Sequence, residues 1–226
     1  MTRRWGTSQG RVVLRCLALP GAVVGGLALG TGCDGTDTTP SGIPDLQLEP
    51  LTKSGIRIAE TWFSADHCAI QEACVAAAGV RRLLRFETVT ANRGTGDLVI
   101  GRPPDRGVSD DTFQWSACHK HHHVPGYTLY ELVDAAGHVT TSRKQAFCLQ
   151  DDQNVQVGAP RRGYNCDDQG LSRGWADVYG LNTDCQWIDI TDLPSADYTL
   201  RITVNPMHTL PESDYDNNEL TVDVTF

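Results

Sequence analysis

The chain has no long hydrophobic run. Its most apolar stretch, residues 16–30, is short, rich in glycine and broken by Pro20, too little for a convincing membrane-spanning helix. It has no basic excess either. Nineteen Lys and Arg face 28 Asp and Glu, a net charge of −9, which disfavours nucleic acid as a partner. Helical patterning is scarce: only residues 64–78 read as a helix, with Ser64 or Asp66 as its cap. Neither an internal repeat nor a second linker interrupts the segment from Asp45 onward, which is of single-domain size.

The N-terminal end reads as a targeting segment. Arg3, Arg4, Arg11 and Arg15 precede the apolar stretch, and Leu29-Gly30-Thr31-Gly32-Cys33 is similar to a bacterial lipobox, in which the Cys becomes the lipidated N-terminus. The expected organisation is a lipoprotein-type signal peptide at 1–32, a small polar tether at 33–44 and a folded domain at 45–226. Removing 1–32 takes away four Arg and no acid, so the charge moves from −9 to −13. Such a surface attracts cations through its field. The expected location is outside the cytoplasm, as a bacterial membrane-anchored lipoprotein or a secreted protein, touching the membrane only through the lipid.

Strand signals dominate the folded part. Residues 45–51, 81–89, 127–133, 186–190, 198–204 and 220–226 carry them, with period-two alternation clearest in the last two. The expected fold is all-β: an antiparallel sandwich with long loops and one or two short helices. Residues 150–172 read as a long polar loop, a length that tends to be functional. Besides Cys33 and the leader, six cysteines remain: Cys68, Cys74, Cys118, Cys148, Cys166 and Cys185. An even number in an exported chain reads as three disulfides, and six cysteines allow fifteen pairings.

The chemistry-bearing run is Cys118-His119-Lys120-His121-His122-His123. In an extended strand His119, His121 and His123 share one face, while Lys120 and His122 face the other way. Three imidazoles suit copper, zinc, nickel or iron. No carboxylate lies in the run, which argues against calcium or magnesium there. A second cluster, Glu212-Ser213-Asp214-Tyr215-Asp216-Asn217-Asn218, gathers hard oxygens and reads as a solvated Asx-rich turn or a calcium site.

Together these segments resemble the catalytic domain of the lysyl oxidase family, in a bacterial form. The resemblance rests on Arg81-Arg82-Leu83-Leu84-Arg85-Phe86 with Asn92-Arg93-Gly94-Thr95-Gly96-Asp97, the histidine run, Lys144-Gln145-Ala146-Phe147-Cys148-Leu149, Asp177-Val178-Tyr179-Gly180, and Asp184-Cys185-Gln186-Trp187-Ile188-Asp189-Ile190-Thr191-Asp192. It implies copper held by His119, His121 and His123. It implies a lysine tyrosylquinone cofactor made from Lys144 and Tyr179, and oxidation of cationic primary amines, free or as protein lysine, by dioxygen. It implies the pairs Cys68–Cys118, Cys74–Cys185 and Cys148–Cys166, and calcium held by Asp45, the Leu46 carbonyl, Glu212, Asp214, Asn217 and Asn218. The family's fourth disulfide is absent on both sides, with Trp175 at one of its positions. Leu129 stands where the family often carries a His, which leaves the catalytic base open among Glu131, Asp134 and Asp189. The end at Phe226, without the extension of animal members, argues against collagen or elastin as substrates. The competing readings are a non-catalytic copper-binding lipoprotein on the same fold and an adhesive surface module.

Overall fold

Residues 42–142 and 147–226 of the computed structural model are described here; the proposed leader with Cys33, and Lys144, lie outside them. Among these residues the regular structure is almost wholly strand, in antiparallel sheets joined by long loops. The strands are β1 (Leu46–Leu48), β2 (Ile56–Phe63), β3 (Gly79–Phe86), β4 (Thr88–Asn92), β5 (Leu98–Gly101), β6 (Gln114–Ser116), β7 (His121–His123) and β8 (Thr128–Asp134). After them come β9 (Val139–Thr141), β10 (Gln153–Asn154), β11 (Gln169–Leu171), β12 (Trp175–Tyr179), β13 (Trp187–Asp189), β14 (Asp197–Val204) and β15 (Glu219–Thr225). Two four-stranded sheets, β1-β4-β12-β10 and β15-β14-β8-β9, carry most of the core between them, joined by β13-β3-β2 and two two-stranded ladders. No helix of the described residues is long and apolar enough to cross a membrane.

Alternation drives the packing. In β14, Tyr198, Leu200, Ile202 and Val204 are buried and the residues between them are not. In β8, Thr128, Tyr130 and Leu132 face the same core, held in register by the β14 pairing Leu200↔Leu132. This half-in, half-out pattern is what an antiparallel sheet with one wet face requires. The expected strand at 81–89 is two strands. β3 runs between β13 and β2 and ends at Phe86 opposite Ile56, and after Glu87 the chain enters β4 in a different sheet, beside β1 and β12. The expected 150–172 loop contains β10 and β11.

The expected helix at 64–78 is a single turn, α1 (Cys68–Gln71). Its cap is neither Ser64 nor Asp66 but His67, whose ring accepts the Ala69 N–H at 3.0 Å. Ala73 takes φ 56°, which ends the turn despite the alanine-rich sequence beyond it. The bond from Cys74 to Cys185 then pins the chain onto β13. Three disulfides form, Cys68–Cys118, Cys74–Cys185 and Cys148–Cys166, with Cα–Cα distances of 5.7, 5.4 and 5.5 Å. They are the pairs the family resemblance implies. The Cys74–Cys185 closure spans 111 residues. On the chain-entropy account it stabilises the fold by about 4–5 kcal/mol.

Leu84 sits in this core at 0 % exposure, whereas Val80, on the same strand, is 58 % exposed. Leu84→Ala should cost about 2–5 kcal/mol through lost burial and a residual cavity. Val80→Ala should stay within about 0.5 kcal/mol. Urea melts of both variants decide it; equal losses at the two positions would mean that the core is not where we place it.

Candidate functional site

The three imidazoles meet, but not along one strand. β6 and β7 form a hairpin whose turn runs through residues 117–120, so His119 lies in the turn while His121 and His123 lie on β7. Lys120 adopts φ 61° and its N–H closes the turn onto Ser116 O at 2.9 Å. A left-handed residue here folds His119 back toward the strand that follows. Candidate ligand atoms of His119, His121 and His123 all lie within 4.8 Å of one another. His121 Nε2 and His123 Nε2 are 2.9 Å apart, and the His119 ring centroid is 5.7 and 5.5 Å from theirs. Two imidazole nitrogens aimed at each other at that distance are poised to share one acceptor-seeking ion, and an all-nitrogen set fits copper or zinc.

His122 and Lys120 are directed elsewhere. His122 is buried on the opposite face, with Nε2 2.8 Å from the Val108 carbonyl and its ring edge-on to Trp115. Lys120 is exposed. The hairpin is fixed from behind by Gln169. Its Nε2 donates to His122 O at 2.8 Å, and its Oε1 accepts the Leu149 N–H at 3.0 Å.

Tyr179, at the end of β12, lines the same cavity as the three histidines, a space of about 310 Å³ also bounded by Phe147, Cys148, Asp152, Val178 and Asp184. The Tyr179 hydroxyl donates to the Cys148 carbonyl at 2.7 Å, and its ring lies 4.2 Å from that of Phe147. Burial, then the Asp177 charge, pushes the Tyr179 hydroxyl well above its ordinary pKa. Position 144 is outside the described residues, so Lys144 and its distance to Tyr179 are not part of this geometry.

The chain matches the lysyl oxidase family model over residues 48–226. It belongs to the lysyl oxidase family. It is 35 % identical over 207 residues to the protein-lysine 6-oxidase of Gallus gallus, covering 85 % of this chain and 47 % of that protein. It is 34 % identical over 206 residues to the protein-lysine 6-oxidase of Homo sapiens, covering 85 % and 48 %. To lysyl oxidase homolog 1 of Homo sapiens it is 36 % identical over 192 residues, covering 78 % and 32 %. The chain thus spans about half the length, or less, of these relatives.

None of the three carboxylates left open as the base of a lysyl oxidase reaction reaches this cavity. Asp134 is at a hairpin end with its carboxylate on His138. Glu131 accepts from Arg201 at 2.8 Å. Asp189 is paired with Arg81 at 2.8 Å and lines a separate cavity with it. The acids the fold brings near Tyr179 are others. Asp152 and Asp184 line the cavity, and Asp177 leaves β12 on the same face as Tyr179. The sequence carried that signal, because Asp177 and Tyr179 are two apart on one strand.

Asp177 is 1 % exposed, and its carboxyl lies among Tyr179, Asp152 and the Gln150 backbone, with no ion-pair partner among the described residues. Burial pushes its pKa well above the ordinary carboxylate value.

At the other cluster, Glu212 Oε2 accepts the Leu46 N–H at 2.9 Å and Glu212 Oε1 accepts from Asn218 at 2.7 Å, while Asn217 donates to Asp45 Oδ1 at 3.2 Å. The side-chain oxygens of Asn217 and Asn218 are buried without a hydrogen-bond partner. Two carboxylates beside two orphaned amide oxygens form a donor set that fits calcium. Asp214 stays exposed, its Oδ1 accepting the Asp216 N–H. A second grouping of ligand-type atoms, Glu72 with Cys74 and Cys185, is not a metal site, since those two sulfurs are bonded to each other.

Asp177 gives a stability test. Its folded pKa lies above the unfolded value, so the folded chain holds a proton that the unfolded chain releases, and this contribution to stability falls as pH rises above the unfolded carboxylate range. Asp177→Asn should therefore raise the Tm of the metal-free protein at pH 7.5 and flatten its dependence on pH. A variant less stable than the wild type at that pH would contradict the burial-raised pKa of this carboxyl.

Proposed function

We propose that this chain is a copper- and lysine tyrosylquinone-dependent amine oxidase, acting on cationic primary amines, either free or as protein lysine. What carries the reading is one cavity, in a chain of this family, lined by His119, His121, His123 and Tyr179. The imidazoles would hold copper, and Lys144 with Tyr179 would supply the quinone. With dioxygen as oxidant, that pair of groups supplies the conversion of a primary amine to an aldehyde, with ammonia and hydrogen peroxide released.

The chain's own residues prepare that chemistry. The Cys148 carbonyl accepts a hydrogen bond from the Tyr179 hydroxyl and fixes the oxygen's direction. Phe147 packs on the Tyr179 ring and, with Val178, keeps bulk water from it. Asp152 and Asp184 set negative charge on the cavity wall, where an alkylammonium would enter. Calcium at Asp45, the Leu46 carbonyl, Glu212, Asp214, Asn217 and Asn218 would tie β1 to the turn before β15. Export with a lipid anchor at Cys33 would place the enzyme outside the cytoplasm, where three disulfides persist.

Replacing His119, His121 or His123 with Ala should abolish stoichiometric copper and peroxide production. His122→Ala should retain copper, because that ring is committed to Val108. Copper-loaded, aerated protein should yield a cross-linked peptide joining the Lys144 and Tyr179 segments. Tyr179→Phe should keep copper and lose both the cross-link and turnover. Peptide mass spectrometry that finds only unmodified Lys144 and Tyr179 in an active sample would sink the quinone. A protein that binds copper without ever forming the cross-link or turning over would be the binding lipoprotein instead.

The strongly acidic chain adds a kinetic expectation. Long-range attraction of an ammonium is screened over about 8 Å at physiological salt. kcat/KM for alkyl diamines should fall as ionic strength rises, and anionic amines should be poor substrates. Salt-independent rates, with glutamate-like amines oxidised equally well, would remove the role of the acidic surface.

A further inference from the structure

Glu72 belongs to none of the motifs that define the site, yet it stands beside the first histidine. Its Oε2 lies 3.1 Å from His119 Nε2, with both side chains 17 % exposed. Its Oε1 accepts the Ser116 hydroxyl, and the same Ser116 oxygen accepts the His119 backbone N–H at 3.0 Å. Two hydrogen bonds through Ser116 and a close carboxylate–imidazole approach, without hydrogen-bond alignment, thus link Glu72 to the turn that carries His119. The three imidazoles gather their ligand atoms within 4.8 Å, and Glu72 is outside that set.

We propose, on the reading of the histidine trio as a copper site, that Glu72 is a positioning residue: its carboxylate holds the His119 imidazole in the orientation that binds copper. The covalent frame serves this contact. Glu72 closes α1, its N–H on Cys68 O at 2.8 Å, and lies between Cys68 and Cys74 in the chain. Cys68 is bonded to Cys118, the neighbour of His119, and Cys74 to Cys185. Two disulfides therefore fasten the carboxylate to the turn that holds its imidazole. A ligating imidazole whose other nitrogen meets a carboxylate keeps one tautomer and gains basicity, and loss of such a partner weakens metal binding by about 10–100-fold. The anionic charge also adds attraction for a divalent cation in a half-buried site.

The test is copper(II) affinity of the folded, metal-free, disulfide-bonded protein, measured by chelator competition, with Tm recorded without copper. Glu72→Gln keeps size and a hydrogen-bond acceptor for Ser116 but removes the charge. It should weaken copper binding by about 10–100-fold while the metal-free Tm and the three disulfides stay as in the wild type. Glu72→Asp should recover part of the loss, and Ser116→Ala should fall between. A merely structural Glu72 would lower the metal-free Tm and leave the affinity of the folded protein unchanged. Binding by Glu72→Gln within about threefold of the wild type overturns the proposal. If Glu72→Gln does not fold, Glu72→Asp and Ser116→Ala decide: wild-type affinity in both overturns it. Failure of the copper reading itself is separable, since His121→Ala and His123→Ala would then also bind copper as the wild type does.

Discussion

A hairpin turn has to bring three imidazoles to one point, and the left-handed backbone at Lys120 is what permits it. For a residue with a Cβ this conformation costs roughly 1–2 kcal/mol. The surroundings over-determine it. The Lys120 N–H closes on Ser116, Ser116 Oγ takes the His119 N–H, and the bond between Cys118 and Cys68 ties the turn to α1. Release of any of these would free His119 to follow the strand direction, and the ligand set would open.

The same logic extends outward through buried polar side chains that join loops distant in sequence. Gln169 bridges the hairpin to the Leu149 segment. Asp151 gathers the Gly163 and Tyr164 N–H groups and both the N–H and hydroxyl of Ser172, which shapes the segment after Cys148. Asn92 accepts from Asp45 and Gly94 and donates to the Gly96 and Leu171 carbonyls. Each is almost wholly enclosed, and each satisfies backbone groups that would otherwise be buried unpaired. Asp177 differs from them in its surroundings. It is an enclosed acid with no cation beside it among the described residues, and its neighbours are Tyr179 and a second acid, Asp152, so burial favours its neutral form.

Much of the architecture was legible in the sequence because antiparallel strands print their burial with period two. β14 and β15 lie almost where alternation put them, and β8 and β13 close to it. β2 was missed because its exposed edge carries Ile58 and Trp62 among charges, which blurs the pattern. β11 falls in the segment that reads as a polar loop, and β6 and β12 are too short to stand out before their partners are known. The helix at 64–78 was over-read, since alanine propensity favours helix and cannot register that Ala73 must turn left-handed to deliver Cys74 to Cys185.

Sequence by itself determined the all-β class, the identity of the three imidazoles, the even set of cysteines and the family, because these depend on residue type, spacing and local period. Tertiary structure decided the rest. It put His119 in a turn and not on the strand, set Tyr179 against the Cys148 carbonyl, sent Glu131, Asp134 and Asp189 away from the cavity, and brought Glu72 to His119 across 47 residues of chain. Those outcomes hang on disulfide closure, strand register and the left-handed turns at Ala73 and Lys120, which join positions far apart and leave no local period to read.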